Sequence, residues 1–312
     1  MALSLAGRSL VTIADLAPEE IYEVLRLSSA QKSGQVPREE LLGVARGRTL
    51  AMLFDKPSLR TRIGFEVAME QLGGHAIYVA PHDVRLGERE PVADAARVFG
   101  RTVNAIAARI SSHETITELA AYAGVPVINA MSDLEHPCQA LADALTIMER
   151  KGRMTGVEIA WIGDGYNVCH SLILICALLG ANLRVATPAT YEPRADITAK
   201  AEELATRTGA AVTVGNDPQE AAKGADVIVT DVWISAGQEE QATRRRSDFQ
   251  GYQVNAELLA QASPEAIFMH CLPAHRGEEV TDEVLDGPQS VVFDEAENRL
   301  HTQRALLTLM LG

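Results

Sequence analysis

The sequence predicts an α/β protein of two doubly wound domains, each built on a parallel sheet covered by helices. Three observations predict this fold. Strand-like and helix-like stretches alternate with short connections, the pattern of parallel strands joined by crossover helices. The length of 312 residues suggests about two domains. A long helix-like stretch, PCQALADALTIMERKG, separates two such series near residue 150.

The first series predicts a domain over residues 1–148. An amphipathic helix over about 17–32 precedes strands and helices in the order βαβαβαβ. The strands are RTLAMLF, AIYVA, NAIAARI and VPVINA. The helices between them are a segment starting near Ser58, PVADAARVFGRTV and HETITELAAYAG. In the first of these, apolar residues recur at helical spacing from Phe65 to Leu72.

The second series predicts a domain over residues 149–312. Its strands are VEIAWIG, NLRVATP, AAVTVG, DVIVTDVW, AIFMHC and SVVFD. Helices are predicted at 167–180, at 196–208, in a short stretch before DVIVTDVW, and at NAELLAQA. A Gly- and charge-rich loop is predicted from Ser235 to Tyr252. The last helix runs from about Glu295 to Leu311, and we expect it to pack back on the first domain.

Composition excludes several classes of protein. The chain is 47% apolar and 22% charged, as in globular proteins with a substantial core. No apolar run approaches the roughly 18 residues of a membrane helix, and the first residues do not resemble a signal peptide. The four cysteines show no CxxC spacing and no zinc-like cluster, so we expect no metal site and a cytoplasmic protein.

The net charge of −14 argues against a nucleic-acid partner, because no broad basic face can offset it. An anionic substrate therefore has to be attracted by a local cationic pocket. Ligands of open parallel sheets bind beyond the carboxyl ends of the strands. Polar, cationic and small residues follow six of the predicted strands, in KPSLRTR, ARISS, SDLEHPCQ, GDGYN, DVWISAGQE and HCLPAHRGEE. This distribution predicts an active site in the cleft between the two domains.

The helix that begins near Ser58 carries cations at its positive end, which is electrostatically unfavourable. Lys56, Arg60 and Arg62 lie there, and no carboxylate precedes Glu66. Ser58 is suited to cap the helix, and its free N–H groups together with Arg60 form an anion site by plain electrostatics. The alternative is a solvated helix end.

Two more strand ends offer donors for a carbonyl or an anion. His136 precedes Pro137 at a helix start, where an imidazole is held neutral and can donate to a carbonyl beside Gln139. An ordinary capping histidine is the alternative. Arg109 ends an otherwise apolar strand and needs an anionic partner, either a ligand or a carboxylate of the chain.

The second domain offers weaker signals. GDGYN lacks the third glycine of a dinucleotide loop, so nicotinamide binding is disfavoured. Asp231 suits a cationic amine or a helix cap. Cys271 is either an inert thiol or a reactive one, and no base lies near it in sequence. The loop from Ser235 to Tyr252 is either a lid over a substrate or a plain surface loop.

Together these segments resemble the transcarbamoylase family, in the family's order and over nearly the whole chain. The matching blocks are FDKPSLRTRIGFEVA, LGERE, ARISS, HPCQALADALTIMER, WIGDGYNVCHSL, ATPATYEP, DVWISAGQE, MHCLPAHRGEEVTDEV and FDEAENRLHTQRALL. The block HCLPAHRGEEV resembles the family's ornithine-using members rather than its aspartate-using members.

The resemblance implies two substrates, carbamoyl phosphate and L-ornithine, and a set of residues for each. Implied to bind carbamoyl phosphate are Ser58, Leu59, Arg60, Thr61, Arg85, Arg109, His136, Pro137, Cys138, Gln139, Cys271, Leu272 and Arg299. Among these, Arg60, Arg109, His136 and Cys271 are the implied catalytic residues. Implied to bind ornithine are Asn167, Asp231, Ser235 and Ala236.

The implied reaction needs no cofactor. The unprotonated δ-amine attacks the carbamoyl carbon, an oxyanion forms, and phosphate leaves to give citrulline for arginine biosynthesis. A homotrimer, or a multiple of it, is also implied, with Arg85 reaching a neighbour's site. The sequence departs from the family pattern at Leu59, Arg85, Tyr166 and Ala236. Tyr166 and Ala236 correspond to family positions close to the amine substrate, so putrescine or an N-acylornithine is the alternative acceptor, although Asp231 argues for a free α-ammonium. A non-catalytic carbamoyl-phosphate-binding protein is a separate alternative.

Overall fold

The chain divides into two compact units. The computed structural model describes residues 3–84, 86–87, 89–235 and 237–312. One unit contains residues 1–145 and 297–312, and the other contains residues 146–296. The expected boundary at residue 148 between two substrate-binding domains stays a prediction.

The first unit contains a four-stranded parallel sheet in the order β2-β1-β3-β4, as the alternating pattern predicts. Its strands are β1 (Thr49–Phe54), β2 (His75–Val79), β3 (Ala105–Arg109) and β4 (Val127–Met131). Phe54 at the end of β1 pairs with Arg109 at the end of β3. The segments KPSLRTR and ARISS therefore leave the sheet side by side.

Helices of the first unit follow the predicted pattern closely. They are α1 (Pro18–Lys32), α2 (Arg38–Val44), α3 (Leu59–Gln71), α4 (Pro81–Val84), α5 (Val92–Thr102), α6 (His113–Tyr122) and the start of α7 (Pro137–Lys151). Helix α3 buries Phe65 and Met69, as its spacing predicts. It ends before Gly73, which has φ 77° and whose added Cβ would lie 2.1 Å from the Leu42 carbonyl oxygen. Only glycine fits there.

The C-terminal helix α14 (Val292–Leu311) returns to the first unit from residue 297 onward, as expected. Within that unit Leu5 N–H donates to the Leu309 carbonyl at 3.1 Å. The helix begins three residues earlier than predicted, and the predicted strand SVVFD is wrong. Ser290 forms only a single bridge to Phe268. Acidic residues in the first turn favour the helix there, because they complement its dipole.

The second unit contains a five-stranded parallel sheet in the order β7-β6-β5-β8-β9. Its strands are β5 (Glu158–Ile162), β6 (Asn182–Ala186), β7 (Val212–Gly215), β8 (Val227–Thr230) and β9 (Ile267–His270). Thr230 pairs with His270 at the carboxyl ends of the two neighbouring strands. The residues that follow, Asp231 and Cys271, therefore leave the sheet next to each other.

The second unit contains helices α8 (Asn167–Leu179), α9 (Ala195–Ala205), α10 (Pro218–Ala222), α11 (Ala242–Asp248), α12 (Ala256–Leu259) and α13 (Asp282–Leu285). The prediction of a loop from Ser235 to Tyr252 is wrong over part of its length, since α11 and a 3₁₀ turn at Glu239–Gln241 lie within it. Arg245 and Phe249 are buried, so α11 packs against the unit. No helix in the described part of the chain is long and apolar enough to cross a membrane.

Candidate active site

The start of helix α3 presents backbone donors and one hydroxyl. Ser58 holds the N-cap position with extended backbone, but its side chain makes no capping hydrogen bond, contrary to expectation. Leu59 is 70% exposed, Arg60 is half-buried and Thr61 is buried. Arg62 does not belong to the cationic group, because it donates to Glu66 at 2.9 Å and lies 4.1 Å over the Tyr78 ring.

Arg299 joins three helices of the first unit. Its guanidinium donates from Nη2 to Thr61 Oγ1 at 2.9 Å and from Nη1 to Gln139 Oε1 at 2.6 Å. Gln139 in turn donates from Nε2 to Asp143 Oδ1 at 2.8 Å. All four side chains are buried. Arg299 lies more than a hundred residues from its partners in the sequence, and the fold makes the four side chains one network.

His136 lies buried just before α7, whose first residue is Pro137 as predicted. Burial lowers the pKa of His136 well below its usual value, and the charges of Arg299, Arg109 and Arg60 lower it further. The imidazole is therefore neutral, as the sequence predicts, but burial contributes more than any other cause. Three arginines from distant segments act on this one ring.

Cys138 and Arg109 complete the first unit's group. Burial raises the pKa of Cys138 to about 12, so this residue remains a thiol. Its Sγ lies 3.5 Å from the Asn129 carbonyl oxygen. Arg109 is half-buried at the end of β3, where its carbonyl accepts from Asp55 N–H at 3.0 Å. We call Arg60, Thr61, Arg109, His136, Gln139 and Arg299 the cationic half-site.

In the second unit, the ends of β8 and β9 bring a carboxylate and a thiol together. Cys271 Sγ donates to Asp231 Oδ1 at 3.1 Å. Burial raises the pKa of Asp231, while the nearby His270 and this hydrogen bond oppose the rise. Leu272 follows with φ 57°, in the left-handed region. The sequence offers Cys271 no local base, and the fold supplies Asp231.

The remaining predicted ornithine residues follow the carboxyl ends of β5 and β8 along the chain. Asn167 is buried as the first residue of α8, and its Oδ1 accepts from Val168 N–H at 2.9 Å. Ser235 N–H donates to Gln238 Oε1 at 3.0 Å. Ala236 and Arg85 lie outside the described residues. We call Asn167, Asp231, Ser235, Cys271 and Leu272 the acidic half-site.

Sequence reasoning missed one buried ion pair beside these residues. Arg245 donates from Nη2 to Asp164 Oδ2 and from Nε to the Trp233 carbonyl at 2.5 Å. Its guanidinium also lies 4.7 Å over the Tyr191 ring. Burial raises the pKa of Asp164 to about 7, Arg245 opposes the rise and Asp231 adds to it. A run of three arginines was visible in the sequence, but nothing local shows which one is buried.

The second glycine of GDGYN has a packing role. A Cβ at Gly165 would lie 2.4 Å from Pro193 N and 2.5 Å from the Tyr191 carbonyl oxygen. Close backbone approach within the unit therefore requires this glycine, with no need for a dinucleotide pyrophosphate.

Two groups of side chains bring metal-ligand atoms within 4.8 Å of one another: Asp231, His270 and Cys271, and His275, Glu278 and Glu279. Hydrogen bonds within the unit already use several of these atoms. His270 accepts at Nδ1 from Leu272 N–H at 2.9 Å and contacts Glu279 Oε1 through Nε2 at 3.1 Å. Glu278 Oε1 accepts from Arg246 at 3.0 Å.

The two half-sites suit substrates of opposite charge. In the first unit, arginines surround a neutral imidazole beside the N–H groups of a helix start, which suits an anion that carries a carbonyl group. In the second unit, a carboxyl group beside a thiol, with the buried Asn167 and the half-buried Ser235, suits an amine.

Comparison with known proteins agrees with this pairing. Residues 8–149 match the carbamoyl-P binding domain of aspartate/ornithine carbamoyltransferases, and residues 155–310 match their Asp/Orn binding domain. The chain is 52% identical to an ornithine carbamoyltransferase of Pyrococcus horikoshii, over 100% of this chain and 98% of that protein. It is 51% identical to the anabolic ornithine carbamoyltransferase of Pyrococcus furiosus, over 100% and 99%.

Solved structures are similar over the same length. The ornithine carbamoyltransferase of Pyrococcus furiosus superposes with a TM-score of 0.96 at 50% identity, over 100% of this chain and 99% of that one. The enzyme of Gloeobacter violaceus gives 0.88 at 46% identity, over 98% and 99%. Sequence, fold and side-chain chemistry thus agree along the whole chain, which belongs to the aspartate/ornithine carbamoyltransferase family.

Proposed function

We propose that the chain transfers the carbamoyl group of carbamoyl phosphate to the δ-amine of L-ornithine, giving L-citrulline and phosphate for arginine biosynthesis. The observation that carries this proposal is the buried network of Arg299, Thr61 and Gln139 around a neutral His136. The names of the full-length relatives support ornithine as the acceptor.

The phosphate of carbamoyl phosphate binds at the start of α3. The backbone N–H groups of Ser58, Leu59 and Thr61 form the positive end of the helix and donate to the phosphate. Arg60 adds a guanidinium fork. The exposed side chain of Leu59 has no part in this binding, because the backbone supplies the donor. Arg60 then offsets charge on the leaving phosphate.

The carbamoyl group binds next to it. Arg109 and His136 donate to its oxygen and stabilise the oxyanion that develops during attack, where one preorganised donor is worth about 10²–10³ in rate. Because His136 is neutral, it donates without adding charge beside three arginines. Gln139 holds the carbamoyl nitrogen, and its amide is oriented by Arg299 on one side and Asp143 on the other.

Ornithine binds at the acidic half-site. Asp231 receives the α-ammonium, and Asn167, Ser235 and Ala236 hold the amino-acid head. The δ-amine must be neutral to attack, although an alkylammonium has a pKa of about 10.4 in water. The departing phosphate is a suitable acceptor for its proton. Cys271 and Leu272 act beside the reacting carbon.

The assembly and location follow from the family. We infer that residues 1–148 bind carbamoyl phosphate, that residues 149–312 bind ornithine, and that the protein is a cytoplasmic homotrimer or a multiple of it. Arg85 then reaches a neighbour's site. Analytical ultracentrifugation of the purified chain tests the trimer.

The activity is tested by measuring citrulline formation from carbamoyl phosphate and L-ornithine. Putrescine, N-acetylornithine and aspartate are run in parallel as acceptors. We expect turnover with ornithine alone. Turnover only with another amine would support carbamoyl phosphate binding at the cationic half-site but contradict ornithine as the acceptor. No turnover with any of the four acceptors would favour a non-catalytic binding protein.

A further inference from the structure

The turn after β9 holds Leu272 in an unusual conformation. Its φ is 57°, a region that β-carbon-bearing residues adopt at a cost unless their surroundings fix them. The side chain packs on the apolar cluster of the second unit, and Leu272 N–H donates to His270 Nδ1 at 2.9 Å. Cys271, between these two residues, donates to Asp231.

His270 is completely buried, and its two ring nitrogens have different tasks. Because Nδ1 accepts from Leu272 N–H, the ring proton of a neutral imidazole must lie on Nε2. Nε2 then donates to Glu279 Oε1 at 3.1 Å. The ring is further fixed through its backbone, since His270 N–H donates to Glu295 Oε2 at 2.8 Å.

Glu279 links the His270 ring to the backbone of His275. It is also completely buried, and Oε1 accepts a second hydrogen bond from His275 N–H at 2.5 Å. One carboxylate oxygen therefore fixes the imidazole at one end of the turn and the backbone at the other. A carboxylate at this position favours the tautomer with the proton on Nε2, which leaves Nδ1 free to accept from Leu272.

We propose that Glu279 and His270 are positioning residues for carbamoyl transfer, which set the Leu272 turn and hold Cys271 against Asp231 by fixing one imidazole tautomer. This inference rests on the proposed function, because it assigns the turn a task in that reaction. Neither residue touches a substrate. Their effect passes from Glu279 to His270, from His270 to Leu272 N–H, and so to the reacting centre.

Paired variants separate positioning from a merely structural effect. Glu279→Leu removes the acceptor, whereas Glu279→Gln keeps a carbonyl oxygen for both donors. Small displacements at a reacting centre cost up to about 10²-fold in rate. We expect kcat to fall about 10–100-fold in Glu279→Leu and less than about 5-fold in Glu279→Gln. The affinity for carbamoyl phosphate alone, measured by calorimetry, changes less than about 3-fold, because the intact cationic half-site supplies most of the contacts proposed for that substrate and the Leu272 turn supplies the minority.

A second pair tests the path through the ring. Asn at position 270 keeps an oxygen near the place of Nδ1, so His270→Asn retains more activity than His270→Phe. If Glu279 acts through His270, the double variant His270→Asn/Glu279→Leu loses no more than the worse single variant. Additive losses would contradict an effect of Glu279 that passes through His270 to Leu272, which we call the relay.

Two controls remove the effect of stability. Glu278→Leu changes the neighbouring carboxylate, which pairs with Arg246, and leaves kcat within about 2-fold. Tyr252→Phe removes hydrogen bonds to the Thr187 and Asn216 carbonyls and supplies a destabilised variant for comparison. If Glu279→Gln loses as much kcat as Glu279→Leu, or if kcat follows only thermal stability across all variants, the proposal is overturned.

The tautomer is also measured without activity, by the ¹⁵N shifts of histidine-labelled protein. We expect one buried ring with its proton on Nε2 in the wild-type chain and in Glu279→Gln, and a mixture in Glu279→Leu. If the tautomers are as expected but the wild-type chain forms no citrulline, the proposed function is overturned, whereas the hydrogen-bond path from Glu279 through His270 to Leu272 stands. An unchanged tautomer in Glu279→Leu would overturn the relay whatever the activity.

Discussion

The two half-sites use burial in the same way and charge in opposite ways. In the cationic half-site, burial and three arginines lower the pKa of His136. In the acidic half-site, burial raises the pKa of Asp231. Beside that half-site, burial raises the pKa of Asp164 to about 7. Burial disfavours the charged form of both group types. The comparison teaches that burial sets the direction of each pKa shift, while the sign of each half-site comes from a few placed ions.

The buried arginines of the two units also differ in how they are held. Arg299 donates to an amide and a hydroxyl, whereas Arg245 donates to a carboxyl group and a carbonyl. Arg245 therefore has a structural task, and the arginines of the cationic half-site have a binding task. Arg245→Met and Arg60→Gln, each with a matched control, test this division.

The largest effect is expected for the structural arginine. Arg245→Met leaves Asp164 buried without its cation, and breaking a buried pair costs about 3 kcal/mol, or roughly 6–12 °C in Tm. Differential scanning calorimetry checks this value. The matched control is Arg244→Met, because Arg244 is exposed and pairs with Asp248 across one helical turn. Equal losses in the two variants would remove the distinction between them.

Arg60→Gln comes next and tests the binding task. We expect kcat/KM for carbamoyl phosphate to fall about 10²–10³-fold, because a charged donor to the substrate is lost. Stability should stay within about 0.5 kcal/mol, since the residue is only half-buried. Arg62→Gln is the control on the same helix, and we expect less than a 2-fold change, about the effect of an exposed ion pair.

Asp231→Asn tests the acidic half-site. Loss of its charge should raise KM for ornithine about 10–100-fold, as for a charge-assisted hydrogen bond worth about 1.5–3 kcal/mol. Carbamoyl phosphate affinity should change little, because the cationic half-site supplies most of the contacts proposed for that substrate. Steady-state kinetics with each substrate varied in turn checks this prediction. A parallel loss of carbamoyl phosphate affinity would show that the half-sites do not divide the substrates.

Opposite pH dependences are expected for stability. The folded pKa of His136 is lowered, so its contribution is present above about 6.5 and is lost as pH falls. The folded pKa of Asp164 is raised from 3.8 to about 7, so its contribution is lost as pH rises through that window. Relative to the wild-type chain, His136→Gln should gain stability below about pH 6.5, and Asp164→Asn should gain between about pH 4 and 7. Thermal scans over pH 4–8 check both directions.

The smallest effect is expected for Leu59→Thr, which adds a hydroxyl at one of the positions where the sequence departs from the family pattern. The Leu59 side chain is 70% exposed and its proposed contribution is a backbone N–H group. We expect kcat/KM within about 2-fold of the wild-type value. A rise of 10-fold or more would mean that the side chain contacts substrate.

Sequence periodicity anticipated most elements because helices and buried strands are decided by local spacing. In helix α3 the apolar residues recur at the helical period, and strand β3 is a short continuous apolar run, which is typical of a strand buried on both faces. The errors occur where local and tertiary preferences conflict. SVVFD has strand-like composition, but Val292 starts a helix. The stretch after Ser235 looks like a polar loop, but burial of Arg245 and Phe249 makes part of it helical.

The sequence by itself determined two parallel sheets, the strand ends that carry functional side chains, and the family. Tertiary structure alone decided that Arg299 meets Thr61 and Gln139, that Arg245 rather than its two neighbours is buried against Asp164, and that Glu279 fixes the His270 ring. The physical reason is that periodicity records which face of an element is apolar. Burial of a polar or charged group depends instead on a partner that is distant in sequence, and only the folded chain brings the two together.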